Sequence, residues 1–362
     1  MKSRIIFFSL VFIIFAIIFL VWLNFSYSGS NGGQLPVGFT QISTQSAFSE
    51  QNTQTQEQES LMPSLLNGLP IPASRAQLPV LAVMIENSPP ARFQSGLGAA
   101  DVIYETLAEG GITRFMALFQ SKDVDTVGPV RSVRTYFVEI AREYDAWLVH
   151  VGGNVDALPL IKKYGLHDLD QFYLDKPFWR DPIRLKTRGL EHSMYTDTVQ
   201  LRLLTEGDLP SDFVPWLFTA QEPPVAERPK SQKVSIDFSF PAFKAQWDYD
   251  AVSNSYLRTT GGIVHRDASD GSILSAKNII VQFVDMALLP DRSKGPVGVL
   301  SIGLIGSGKG FLFRDGKAFP VTWSKSASGE RTRYLDENGK EIFLEPGVTW
   351  IELAGEKMLS YQ

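Results

Sequence analysis

The chain has 362 residues, 44% of them hydrophobic and 20% charged, with a net charge of −5 and no cysteine. That length allows one membrane segment plus one or two cored domains, and the charge leaves no basic excess with which to displace counterions from nucleic acid. The lack of cysteine excludes disulfides, thiolate catalysis, zinc–thiolate sites and a lipid-modified N-terminal cysteine.

Residues 1–4 (MKSR) are read as a cytoplasmic N-terminus and residues 5–23 as a transmembrane anchor, an apolar run broken only by Ser9. Nineteen helical residues rise about 28 Å, close to the roughly 30 Å hydrocarbon core. Lys2 and Arg4 precede the run and no basic residue follows until Arg75. This predicts a single pass through the cytoplasmic membrane, N-terminus inside and the rest outside. A cleaved secretory signal is the rival reading, but its apolar region is usually shorter. Residues 24–76, rich in Ser, Gln, Asn, Thr and Gly, read as a disordered linker, because such a composition buries too little apolar surface to offset its ordering entropy.

Residues 77–220 are expected to form an N-terminal α/β domain. Residues 80–86 (VLAVMIE) form an apolar run of strand length stopped by Asn87-Ser88-Pro89-Pro90, which must turn. Two more strand patterns, residues 101–108 and 112–120, flank Glu109-Gly110-Gly111. A two-residue turn centred on the glycines would place Glu105 and Arg114 diagonally on one face. Residues 129–146 carry helical spacing, with Arg131 and Arg134 in a first turn whose dipole disfavours positive charge. Compensation would come from Glu86, Glu105 or Glu109, or from an anionic ligand. A buried strand carrying His150 follows, then a helix stopped at Gly165, a surface loop over residues 176–188 (KPFWRDPIRLKTR), His192, and a helix capped by Thr196 or Asp197.

Residues 221–362 are expected to be a C-terminal β-rich domain. Asp270-Gly271, Asp315-Gly316 and Asn338-Gly339 each suit hairpin turns between short, mostly antiparallel strands. His265-Arg266-Asp267 reads as a loop. The run Gly303 to Gly310 (GLIGSGKG) nearly spells a phosphate-binding loop. Gly310 stands where Ser or Thr would hold magnesium, and the run lies between strands, so no nucleotide is expected. No serine-hydrolase or zincin signature is present, and no cofactor or metal is expected. Only a three-dimensional convergence of His150, His192 and His265 with an acid would make a zinc site. The fold class expected is α+β: mixed sheets with helices in layers, then mostly antiparallel β, preceded by one transmembrane helix.

The blocks VMIENSPPARFQSGLGAADVIYETLAEGGITRFMALFQ, VGPVRSVRTYF and HVGG, with YLRTTGGIVHRDASDGSILSAKNIIVQF and PGVTWIEL further on, resemble the YerB-like family of bacterial lipoproteins. The resemblance runs from about Pro79 to the C-terminus. It implies a layered α/β fold outside the cytoplasmic membrane and supplies no assigned reaction. The departure is the missing lipoprotein cysteine, so the apolar helix is expected to replace the lipid as anchor.

Two functions follow as expectations. One is a non-catalytic envelope protein binding cell-wall polymer or an envelope protein of wall assembly, with Asn87, Arg92, Arg114, Arg131, Arg134, His150 and His192 as contacts. The other is a glycan hydrolase or lyase drawing its acid and base from Glu86, Glu105, Glu109 and Asp101. The hydrolase requires two of these carboxylates in one open cleft; the binding protein leaves them paired with arginines.

Overall fold

A ten-stranded mixed sheet runs through the protein. The computed structural model describes residues 59–289 and 299–362, so the expected cytoplasmic N-terminus and anchor and most of the linker lie outside the described residues. Among the described residues no helix is long and apolar enough to cross a membrane. In chain order the strands of the two main sheets are β1 (Leu81–Glu86), β2 (Val102–Leu107), β3 (Thr113–Phe119), β4 (Trp147–His150), β5 (Asp168–Asp170), β6 (Lys233–Asp237), β7 (Lys244–Asp250), β8 (Ser255–Thr260), β9 (Ile263–Val264), β10 (Ser275–Ala276), β11 (Asn278–Phe283), β12 (Gly306–Arg314), β13 (Lys317–Lys325), β14 (Arg333–Leu335), β15 (Thr349–Ala354) and β16 (Leu359–Tyr361). The large sheet is ordered β14-β13-β12-β11-β15-β2-β3-β1-β4-β5, and the smaller is β9-β8-β7-β6-β16 with β10 on β8.

The large sheet is covered on both faces, which is why β1 (LAVMIE) reads as a continuous apolar run. Ala82 and Met84 face helices α1 (Thr135–Glu143) and α2 (Ala157–Tyr164), where Phe137, Ile140, Ala141 and Ile161 are buried. Leu81, Val83 and Ile85 face the opposite core with Val234, Ile236 and Trp247 of the smaller sheet. That sheet shows the alternation of a half-buried strand: Ala245, Trp247 and Tyr249 of β7 are buried between partly exposed polar neighbours. Asp315 and Gly316, both at positive φ, close the β12–β13 hairpin as a two-residue turn.

Several expectations are corrected. Residues 59–76 are folded rather than linker, forming a short hairpin (Leu61–Pro63 with Pro70–Pro72) that sends Leu66 into the core. The connection between β2 and β3 is the three-residue turn Glu109–Gly111, closed by Ala108 N–H donating to Ile112 O at 2.6 Å. The register therefore sets Glu105 opposite Phe115 and Thr106 opposite Arg114. Because strand side chains alternate, Glu105 and Arg114 lie on opposite faces, and the expected diagonal pair does not form.

Helix α1 starts at Thr135, and residues before it are extended. Arg131 N–H donates to Met84 O (2.9 Å) and Glu86 N–H to Pro129 O (3.0 Å), so this backbone is committed to β1 and cannot coil. Residues 176–188 hold a strand (Phe178–Arg180) and helix α3 (Pro182–Arg188), capped by the Asp181 carboxylate accepting from Arg184 N–H, where a loop was expected. Strands β7 and β8 were not anticipated. The two expected domains share the large sheet: β11 and β15 come from one half, β2 from the other, and residues 58–362 form one unit.

Candidate functional site

The carboxyl end of β1 and the start of α1 gather six of the expected site residues. Register makes Glu86 of β1 the cross-strand partner of Arg114 on β3, yet the two do not pair. Glu86 accepts from Ser88 Oγ (2.6 Å) and contacts His192 Nδ1 (2.8 Å), with Arg131 Nε at 3.7 Å. Both Glu109 oxygens take Arg134 Nε, at 2.6 and 2.7 Å. Burial works to raise Glu109, but the Arg134 bonds prevail and hold it below the usual carboxylate range.

Arg114 is left over. It is 6% exposed, and its hydrogen bonds go to Ser132, the carbonyl at 2.7 Å and the hydroxyl at 3.4 Å. Its Nε has no partner, and no carboxylate pairs with it among the described residues. Burial, then the neighbouring Arg134 cation, pushes it down to about 10, which keeps it charged at neutral pH. Ser132 also bonds Arg134, whose Nη1 donates to its Oγ at 2.9 Å. Arg131 points outward to Glu191 (2.7 Å), a carboxylate whose side chain is 66% exposed. Formal charges balance, three arginines against Glu86, Glu109 and Glu191, but their placement does not. The surface pair to Glu191 is worth about 0–1 kcal/mol and is easily displaced, whereas an uncompensated buried cation is costly. The arrangement leaves Arg114 a buried cation without a carboxylate of its own.

Two other expected site residues, Glu105 and Asn87, lie between the two sheets, sealed from solvent, and a third, the partly exposed Arg92, bonds to Asn87. Arg258 of β8 donates to Glu105 Oε2 and, at 3.1 Å, to Glu352 Oε1 of β15, both carboxylates fully buried. Its guanidinium carbon sits 4.3 Å from the Trp350 ring centroid and 4.8 Å from that of Trp247. Trp247 Nε1 donates to Glu352 (3.0 Å), and Arg258 Nε contacts His265 Nδ1 (3.2 Å). The Asn87 amide bonds Glu105 and Thr113 through nitrogen and accepts from Arg92 and Gln94 through oxygen. Burial, then the Glu105 charge, raises Glu352 well above the usual range. Its Oε2 is buried without a hydrogen-bond partner among the described residues.

This network has a pH signature. A raised folded-state value means that Glu352 contributes stability below its unfolded value near 4.3, lost as pH rises toward the folded value. His265, pushed well below its ordinary value by burial and then by Arg258, contributes stability above about 6.5 that is lost as pH falls. The melting temperature of Glu352→Gln minus that of the wild type is therefore expected to grow more positive from pH 5 to pH 8. A pH-independent difference, read by circular dichroism, would remove the assignment.

Asp101 and His150 belong to neither group. Asp101 accepts from Asn67 Nδ2, the Gln120 and Ser121 N–H groups and Ser121 Oγ, pinning the hairpin of residues 61–72 to β2 and β3. His150, fully buried, ties β4 to Asp168 of β5 (2.8 Å) and to Gly152 O (2.9 Å). The three histidines thus have separate partners, and among the described residues no cluster of three or more His, Asp or Glu could hold a metal. Sequence reading missed Arg258, Glu352 and Gln94; His265, read as a loop residue, does lie outside a strand but is fully buried.

Comparison with known proteins agrees with this architecture. The model described as protein of unknown function (DUF3048) N-terminal domain matches residues 66–209, and that of the C-terminal domain matches residues 234–351. The Bacillus subtilis (strain 168) protein named "Putative lipoprotein YerB" is 30% identical over 277 residues, 75% of this chain and 80% of the relative. The crystal structure of the YerB protein from Bacillus subtilis superposes with a TM-score of 0.72 at 28% identity, covering 83% of this chain and 99% of that one. The fold expected from the resemblance, the two matched domains and the similarity to YerB together make this chain a member of the DUF3048 family.

Proposed function

We propose that this protein is an extracytoplasmic envelope protein, held at the cytoplasmic membrane by residues 5–23, that binds an anionic cell-wall polymer at Arg114, Arg131 and Arg134 without catalysing its cleavage. The single observation that carries this reading is Arg114, a buried cation beside two further arginines with no carboxylate of its own. A phosphodiester or carboxylate of the polymer would pair with Arg114, displace Glu191 from Arg131 and restore local neutrality. The name of the YerB relative supports the membrane-side address. The hydrolase reading gains nothing here. Both Glu86 oxygens and both Glu109 oxygens are engaged, and Glu109 is held low where a general acid needs to be raised.

The test is cosedimentation of the full-length protein, in detergent, with purified wall, before and after removal of its anionic polymers. Binding is expected to depend on those polymers and to weaken steeply with salt. Binding that survives their removal, or capture of an envelope protein in place of polymer, would overturn the reading. Glu191→Gln removes the internal competitor and is expected to tighten binding roughly 2–5-fold.

A further inference from the structure

At the other end of α1 from the arginine cluster lies a cleft of about 750 Å³, within the usual range for small-molecule sites. One wall is the segment Asp212 to Pro215, and the other is Gly329 to Arg331. Arg331, 7% exposed, lines this cleft. Its Nε donates to Val214 O (3.1 Å), its Nη1 donates to Tyr144 Oη (2.9 Å), and its guanidinium carbon lies 3.2 Å from the Trp216 ring centroid. The remaining nitrogen, Nη2, is buried without a partner, as is Trp216 Nε1. The nearest carboxylate, Glu143, stands 3.9 Å away and is taken by Lys325 (2.8 Å) and Thr332 N–H (2.8 Å). At the mouth the polarity reverses. Asp212 and Glu330 are exposed and pair with no basic side chain among the described residues, Arg333 on the same cleft is taken by Glu341 (2.7 Å), and Phe213 and Val214 supply apolar surface between the two ends.

A deep unpartnered guanidinium donor, an apolar strip and an acidic mouth are complementary to a molecule with a carboxylate at one end and an ammonium at the other. We infer that the cleft binds a short zwitterionic peptide, its carboxylate on Arg331 Nη2, its ammonium toward Asp212 and Glu330, and its side chains on Phe213 and Val214. The site is independent of the proposed polymer site, since no residue is shared.

The experiment is isothermal titration of the full-length protein in detergent with dialanine, in its L and D forms, at low salt. Controls are the N-acetylated and C-amidated dipeptides, which lack one charge each. Saturable heat with the free dipeptide is expected, with each cap weakening binding at least 10-fold. Arg331→Lys is expected to weaken it at least 10-fold, because a point charge on a shorter reach cannot hold Val214 O, Tyr144 and a carboxylate together. Should that variant unfold, Asp212→Asn with Glu330→Gln alters only exposed groups and is expected to abolish discrimination between free and N-acetylated dipeptide. Arg114→Met should leave the titration unchanged, separating this site from the polymer site. Absence of heat with the free dipeptide, equal binding of the capped forms, or retained discrimination in the mouth variant would overturn the inference.

Discussion

Arg258→Ala is expected to cost about 3–5 kcal/mol and to lower the melting temperature by roughly 10 °C. The guanidinium is fully buried and is the cation on which Glu105 and Glu352 converge. Removing it strands buried carboxyl groups between the sheets and opens a void over Trp247 and Trp350, whose rings meet edge to face with centroids 5.0 Å apart. Two penalties of different origin thus fall on one site: desolvation of an unpaired charge and loss of packing. Adding Glu105→Gln and Glu352→Gln to Arg258→Met should recover most of the loss, because a neutral set replaces a broken ionic one. Thermal melting of the single and triple variants decides the matter. A loss under about 1 kcal/mol for the single variant would show that the network does not hold the sheets together.

The second large effect has opposite signs in two measurements. Arg114→Met is expected to raise stability by about 1–3 kcal/mol, because it exchanges an uncompensated buried cation for an apolar chain of similar length. The same change should weaken polymer binding roughly 10- to 100-fold, since a charge-assisted hydrogen bond to a buried donor contributes about 1.5–3 kcal/mol. Stability gained with function lost marks a residue kept for its ligand. If Arg114→Met melted lower than the wild type, the cation would be structurally compensated and the anion site would lose its main support.

Much of the frame was readable in the residues because it depends on local patterns. The continuous apolar run of β1, the stop at Gly165 (φ 64°) and the Asp315-Gly316 turn are each written within a few neighbouring positions. The failures are those of register and distance. Glu109 and the two glycines give either a two- or a three-residue turn, and one residue of difference moved Glu105 and Arg114 to opposite faces. Strand β8 (SYLRTT) was invisible because its inward face holds Tyr256, Arg258 and Thr260, so no apolar alternation marks it. Arg258 and Glu352 are 94 positions apart, and no periodicity links them. At the arginine cluster the composition was legible, and six residues named from sequence do meet. Which arginine goes without a carboxylate was not legible, because that depends on where Glu86 turns.

The position of β15 has a consequence for biogenesis. This strand follows both of its neighbours in the chain and lies parallel between β2 and β11 in the middle of the large sheet. Until Thr349–Ala354 has been made, β2 and β11 present two raw edges that nothing earlier in the chain closes. Closure of the large sheet is therefore deferred until that segment has been made. The same placement makes loss of Thr349–Ala354 a lesion at the centre of the large sheet instead of at its margin.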